Sequence, residues 1–212
     1  MSRINTKHFK IVLNANVGII NDKKAETLTK VFENEFQLKM LQEQQPVSSV
    51  FVLANPNLRE AILIDSNKIT YQIESEESIT PDFGAIKEKL QKIYDTLLLD
   101  DVSVGVVHYV GQAFAKSYNA MNESIENFSG GSNLREQMPN LKGIGLRFLL
   151  EHHTGIWEYK VEPFISDISS YFIEMICNIG NPQKVEEIVH IAEEAYIDFN
   201  DKKLNALETL GV

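Results

Sequence analysis

The chain has 212 residues, 43% of them hydrophobic, a composition that can bury a substantial core without disulfides or metals. Lys and Arg number 20 against 30 Asp and Glu, and the formal charge of −10 sits mostly in the second half: residues 1–100 carry 12 basic and 14 acidic side chains, residues 101–212 carry 8 and 16. An acidic chain repels phosphate, which disfavours broad electrostatic binding to DNA or RNA, and the lone cysteine, Cys177, excludes an intramolecular disulfide framework.

Phe9, Ile11, Leu13, Ala15 and Val17 alternate with mostly polar neighbours, the period of a half-buried strand. Asn21-Asp22 supplies capping side chains for a helix whose apolar positions are Ala25, Leu28, Phe32 and Phe36, with Pro46 closing the segment. A strand at Val50–Leu53 turns at Asn55-Pro56-Asn57 into Ala61–Ile64, and a second turn at Asp65–Lys68 leads into Ile69, Tyr71 and Ile73. Thr80-Pro81-Asp82 predicts a helix start with Thr80 as cap, and Phe83, Ile86, Leu90, Ile93 and Leu97 form its buried stripe.

The same order then recurs. Val102, Val104 and Val106 open a long strand reaching about Phe114, and Tyr118, Met121, Ile125 and Phe128 mark a short amphipathic helix. Residues Ser129–Asn140, with Gly130-Gly131-Ser132 near their start, read as the longest irregular stretch. Strands follow at Ile144–His153, Ile156–Val161 and roughly Ile168–Ile179. Asn181-Pro182 predicts the start of a last helix with stripe Val185, Ile188, Val189, Ala192, Tyr196 and Phe199. Leu204, Leu207 and Leu210 make the tail 201–212 a short amphipathic piece able to pack on the body or a partner.

A turn at Thr154-Gly155 would pair His152 with Trp157, Phe148 with Val161, Glu151 with Glu158, and Arg147 with Glu162. One face then holds Leu146, Phe148, Leu150, His152, Trp157, Tyr159 and Val161, and the other holds Arg147, Leu149, Glu151, His153, Glu158, Lys160 and Glu162. Glu151, His153 and Glu158 on a shared face are a set that can hold a divalent cation or act as an acid–base pair. The plainer expectation is a solvated sheet face capped by a turn histidine. Arg147 is a candidate for holding an anionic group, with a cross-strand ion pair to Glu162 as its structural alternative.

The aromatic set Trp157, Tyr159, Phe148 and Phe164 is expected to be core beneath helices, and Cys177 a buried thiol in the apolar run Tyr171–Ile179. Gly143-Ile-Gly145 runs into a strand and lacks the third glycine of a dinucleotide fingerprint. The chain also has no phosphate loop, nucleophile elbow or His-Glu-x-x-His helix. The N-terminal ten residues lack the apolar core of a signal peptide, and no apolar run is long enough to span a bilayer, so a cytoplasmic protein is expected.

Gly145-Leu146-Arg147-Phe148, following a hairpin at Phe51–Ile64 and an amphipathic helix, resembles the landmark strand of a sporadically distributed prokaryotic family of uncharacterised proteins, with Phe148 where that family usually has Tyr. The family carries no activity across. The doubled strand–helix–strands–helix order resembles the TATA-binding-protein-like fold, which implies an open sheet face opposite the helices.

The sequence thus predicts an α+β protein in which two β-α-β-β-β-α units, residues 1–100 and 101–200, form a large curved antiparallel sheet with four main helices on one face. The expected function is non-catalytic: binding of a protein partner, or self-association, through a sheet face or the tail, with no cofactor, metal or membrane. An enzyme using Glu151, His153 and Glu158 with Arg147 on a small-molecule ligand is the alternative, and nucleic-acid binding by the open face a third.

Overall fold

The computed structural model describes residues 4–44, 48–129 and 132–202. Among these, the strands are β1 (Asn5–Asn14), β2 (Leu38–Gln44), β3 (Ser48–Asn55), β4 (Glu60–Ile64), β5 (Lys68–Glu74), β6 (Val102–Phe114), β7 (Leu146–His152), β8 (Gly155–Pro163) and β9 (Ser170–Lys184). The helices are α1 (Asp22–Val31), α2 (Phe83–Leu97), α3 (Ala120–Ser129), α4 (Ser132–Gln137) and α5 (Val185–Ile197), the last running into a π-helical turn at Asp198–Lys202. No helix here is long and apolar enough to cross a membrane.

All nine strands join one antiparallel sheet in the order β2-β3-β4-β5-β1-β6-β9-β8-β7. The α+β architecture read from the sequence is therefore the one observed. Each half starts at the centre of the sheet, in β1 or β6, passes through helix to the outer edge, returns strand by strand to the centre, and ends in a helix laid across it.

Strand alternation sends one set of side chains toward the helices. Phe9, Ile11 and Leu13 on β1, Val107 and Tyr109 on β6, and Ile173, Met175 and Cys177 on β9 are all buried there, under Ile86, Leu90 and Ile93 of α2 and Ile188 and Ala192 of α5. Phe9 stacks on Tyr109 with centroids 4.9 Å apart, and the Tyr109 hydroxyl donates to the Ala192 carbonyl at 2.6 Å, so this buried hydroxyl is satisfied. β1 shifts register between Thr6 and His8 and presses onto Gly111, where a Cβ would lie 2.6 Å from Ile4 Cγ2. Only glycine leaves room for that crossing.

Several boundaries differ from expectation. α1 stops at Val31, with Asn21 capping its start by accepting from the Lys24 amide at 3.0 Å. Phe36 is buried as expected but lies in the turn beyond the helix, edge-on to Phe32 at 5.6 Å. The residues that follow form β2, an edge strand absent from the sequence reading, so the first half has five strands rather than four. The cap of α2 is Asp82, not Thr80: its side chain accepts from the Ala85 amide. Asn181-Pro182 does not start α5. It lies within β9, where Gly180–Pro182 sit opposite the single residue Val104, a bulge that accommodates a proline without an N–H. The stretch read as irregular holds α4, while Gly130-Gly131 and the Leu204, Leu207 and Leu210 tail lie outside the described residues.

Candidate functional site

The hairpin β7–β8 carries all five candidate residues, and its register differs from the expected one by two. The turn is His153-Thr154, so His152 faces Gly155, Leu150 faces Trp157, Leu149 faces Glu158 and Arg147 faces Lys160. Gly155 is the cause. Its φ is +151°, and a Cβ there would lie 2.1 Å from the Asn178 carbonyl oxygen, so it is pressed against β9 as a strand residue instead of sitting in the turn. The Gly180 amide donates to the Thr154 carbonyl at 3.0 Å and fixes the same arrangement. A shift of two preserves the faces, as expected from the pleat, but it changes every partner. Arg147 does not pair with Glu162, and Glu158 does not face Glu151.

Instead, the face turned away from the helices carries a row of ion pairs across four strands. Arg147 on β7 donates to Glu158 on β8 at 2.6 Å; Glu158 lies 3.4 Å from Lys160; Lys160 reaches Glu174 on β9 at 2.7 Å; and Glu174 lies 2.8 Å from His108 Nε2 on β6. His108 in turn meets His8 of β1 edge-on at 5.5 Å. The Arg147 bond holds the Glu158 carboxyl below the usual range despite some desolvation. Burial pushes Glu174 upward, but the bonds from Lys160 and His108 outweigh it and hold that carboxyl low as well. The Glu174 bond raises Lys160. Burial, helped by Lys10 and Lys160, lowers His108 against the raising effect of Glu174, and burial together with His108 lowers His8. Near pH 7 both rings are therefore neutral, and two cations and two anions in the row cancel.

Around this row the same face is largely aliphatic. Val12 pairs with Val106 and Val52 with Leu63, Thr70 lies between the two pairs, Val110 and Ile176 flank the row, all but Thr70 half-buried, and Leu38, Met40, Leu149 and Ile156 are exposed toward the two ends. No described helix covers it.

On the helix side, the end of the hairpin and the last turns of α5 enclose a cleft of about 440 Å³, lined by Leu150, Glu151, His152, His153, Trp157, Glu194, Ile197 and Asp198. His152 stacks on Trp157 with centroids 4.0 Å apart, and its Nδ1 lies 2.8 Å from Thr154 Oγ1. Burial, then the neighbouring His153, lowers its pKa. The Trp157 Nε1 is buried with no hydrogen-bond partner among the described residues, and Tyr159 donates to Asp198 beside it.

The structure thus joins Arg147 to Glu158, places Glu151 and His153 at the cleft mouth, and leaves Glu162 exposed near the far end of β8. Glu158 is turned toward two cations rather than toward Glu151 and His153, and no group of three His, Cys, Asp or Glu able to hold a metal occurs among the described residues. Burial pushes the Cys177 thiol far up, which leaves it a core side chain. His108, Lys160 and Glu174 were not singled out from sequence as a group. Their association depends on β6, β8 and β9 being neighbours, which no local pattern announces. No family model matches the chain, and no curated protein shows significant similarity to it.

Proposed function

We propose that the chain is a non-catalytic binding protein that docks another protein on the open face of its sheet. The observation that carries this is the uncovered face itself, where half-buried aliphatic side chains surround a row of charges that neutralise one another. Such a face excludes little water by itself and has no unpaired cation row for phosphate, which favours a protein surface over nucleic acid. Lys10, Lys68, Arg147 and Lys160 stand there against Glu74, Glu151, Glu158, Glu162 and Glu174. The partner expected is apolar at its centre and near neutral, not a polyanion.

The strand order supports reading the two halves as a duplication arranged like the TATA-binding-protein-like fold, with the second half one strand shorter. That likeness locates the open face and transfers no activity. A cytoplasmic location accords with the single, buried cysteine.

The test is retention from a native lysate by the wild type, by Val106→Glu and Ile176→Glu on the open face, and by Lys87→Glu on the helix side, each with and without nuclease. A protein held by the wild type and Lys87→Glu but lost in both open-face variants, independently of nuclease, supports the proposal. Equal retention by all four, or retention that nuclease abolishes, sinks it. A second reading, a small-molecule ligand in the cleft beside His152, rests on the unpartnered Trp157 indole N–H. Quenching of the only tryptophan by a ligand series would reveal it.

A further inference from the structure

The two halves of the sheet differ by one strand. From the centre outward the first runs β1, β5, β4, β3, β2 and the second β6, β9, β8, β7. Among the described residues β7 therefore ends the sheet where the first half adds one strand more. The effect on burial is direct: Phe51 and Leu53 on β3 are 1% and 0% exposed, whereas Phe148 and Leu150 on β7 are left half-buried. An edge strand presents a row of unpaired N–H and C=O groups to any strand that can align with it. The charges on β7, Arg147 and Glu151, are of opposite sign and so do not repel a second copy running antiparallel to it. The strand's seven residues include no proline, lysine or bulge.

We infer that β7 pairs antiparallel with β7 of a second copy of this chain, about a two-fold axis through Leu149. Residues opposite each other in an antiparallel pair point to the same face, so a two-fold perpendicular to the sheet requires paired numbers with an even sum. The register centred on Leu149 engages all seven residues. It sets Leu149 against its own copy, Phe148 against Leu150, Leu146 against His152, and Arg147 against Glu151. Centring on residue 147 or 151 would instead oppose like charges.

The side chains suit that register. Leu149 is 61% exposed at the middle of the edge. Glu151 is exposed and has no ion-pair partner among the described residues. Arg147 gives one nitrogen to Glu158 and keeps further donors for Glu151 of the second copy. The pairing joins two nine-stranded sheets into one and leaves the open face free, so it does not depend on the docking proposed above.

Light scattering tests this. The wild type is expected at twice the 24.1 kDa protomer mass. Glu151→Arg and Arg147→Glu each oppose like charges and should weaken the dimer at least about tenfold. Mixed together they should re-form a dimer, because each Arg then meets a Glu of the other variant, and that recovery shows that both variants fold. Independently, Leu149→Cys should be joined to its own copy by a short thiol-reactive bismaleimide, since opposed Cβ atoms lie about 4.5–5.5 Å apart, while Ile156→Cys, one strand in, should not. The native Cys177 is buried and does not interfere. A wild type that is monomeric up to about 100 μM, where a dimer with a Kd of about 1 μM would be nearly complete, would overturn the proposal. So would a dimer untouched by both charge reversals, or no recovery on mixing.

Discussion

The two faces of this sheet come from the same strands by simple alternation, yet they use their side chains in opposite ways. Toward the helices, Phe9, Tyr109 and Tyr71 meet as aromatic neighbours, and polar groups are few: Tyr109 is satisfied by the Ala192 carbonyl and buried Glu60 by Lys89 of α2, while the Tyr94 hydroxyl and the Trp157 indole N–H have no hydrogen-bond partner among the described residues. Toward solvent, aliphatic residues are interleaved with charges that are paired with one another and not with the core. A covered face is held by shape and loses stability when shape is lost. An open face contributes little to folding, so side chains placed there in a row are free to serve recognition.

The sharpest test of the first half of that comparison is Phe9→Ala, which removes a fully buried ring from the stack on Tyr109. It should cost about 3–5 kcal/mol in urea unfolding. A cost below about 1.5 kcal/mol would mean that the face is loosely packed. Next is Lys89→Met. Glu60 is buried and its partner ammonium lies 2.5 Å away, so the variant leaves a buried carboxylate with no cation, only the Tyr71 hydroxyl beside it, and should lose about 3 kcal/mol. The double variant with Glu60→Leu should recover much of that loss, because the penalty belongs to the stranded charge rather than to the missing contact.

How far these faces were legible depended on whether the deciding contact was local. The face assignment on β7 and β8 followed from the pleat, and it survived a register error of two because an even shift moves no side chain through the sheet. The partners did not survive, since Gly155 is needed against Asn178 of β9 and not in the turn, a demand made by a strand that follows later in the chain. β2 was missed for a related reason. Its residues Leu38-Lys39-Met40-Leu41 do not alternate, because Lys39 lies on the helix side and uses its ammonium on the carbonyls of Glu33 and Phe36. The row from Arg147 to His108 joins residues as far apart as 66 positions within a single contact. Only the sheet order brings them together.

Lys160→Met probes the second half of the comparison. Lys160 sits between Glu158 and Glu174, but it is partly exposed, so unfolding stability should change by no more than about 1 kcal/mol. Retention of a protein partner should nevertheless fall, because Glu174 would then face it without a cation, while Glu158 keeps Arg147. A variant that unfolds easily would place the row with the structural elements of the fold and remove it from the docking surface.

The smallest expected effect is a change of slope. His8 and His108 both have pKa values below the ordinary 6.5, through burial first and, for His8, through its neighbour. As pH falls through 6.5 the unfolded chain takes up protons that the folded chain still refuses, so stability should decline from about pH 7 toward pH 5. Glu158 and Glu174 have lowered values, and their contribution is lost only further down, below about 4.5. The two windows are therefore separable. His8→Gln should flatten the upper one, by removing one titrating ring whose value burial and His108 hold low, and should leave the lower one unchanged. An unaltered slope between pH 7 and 5 would show that the open face already hydrates these rings, which would place them in water and not among the half-buried valines.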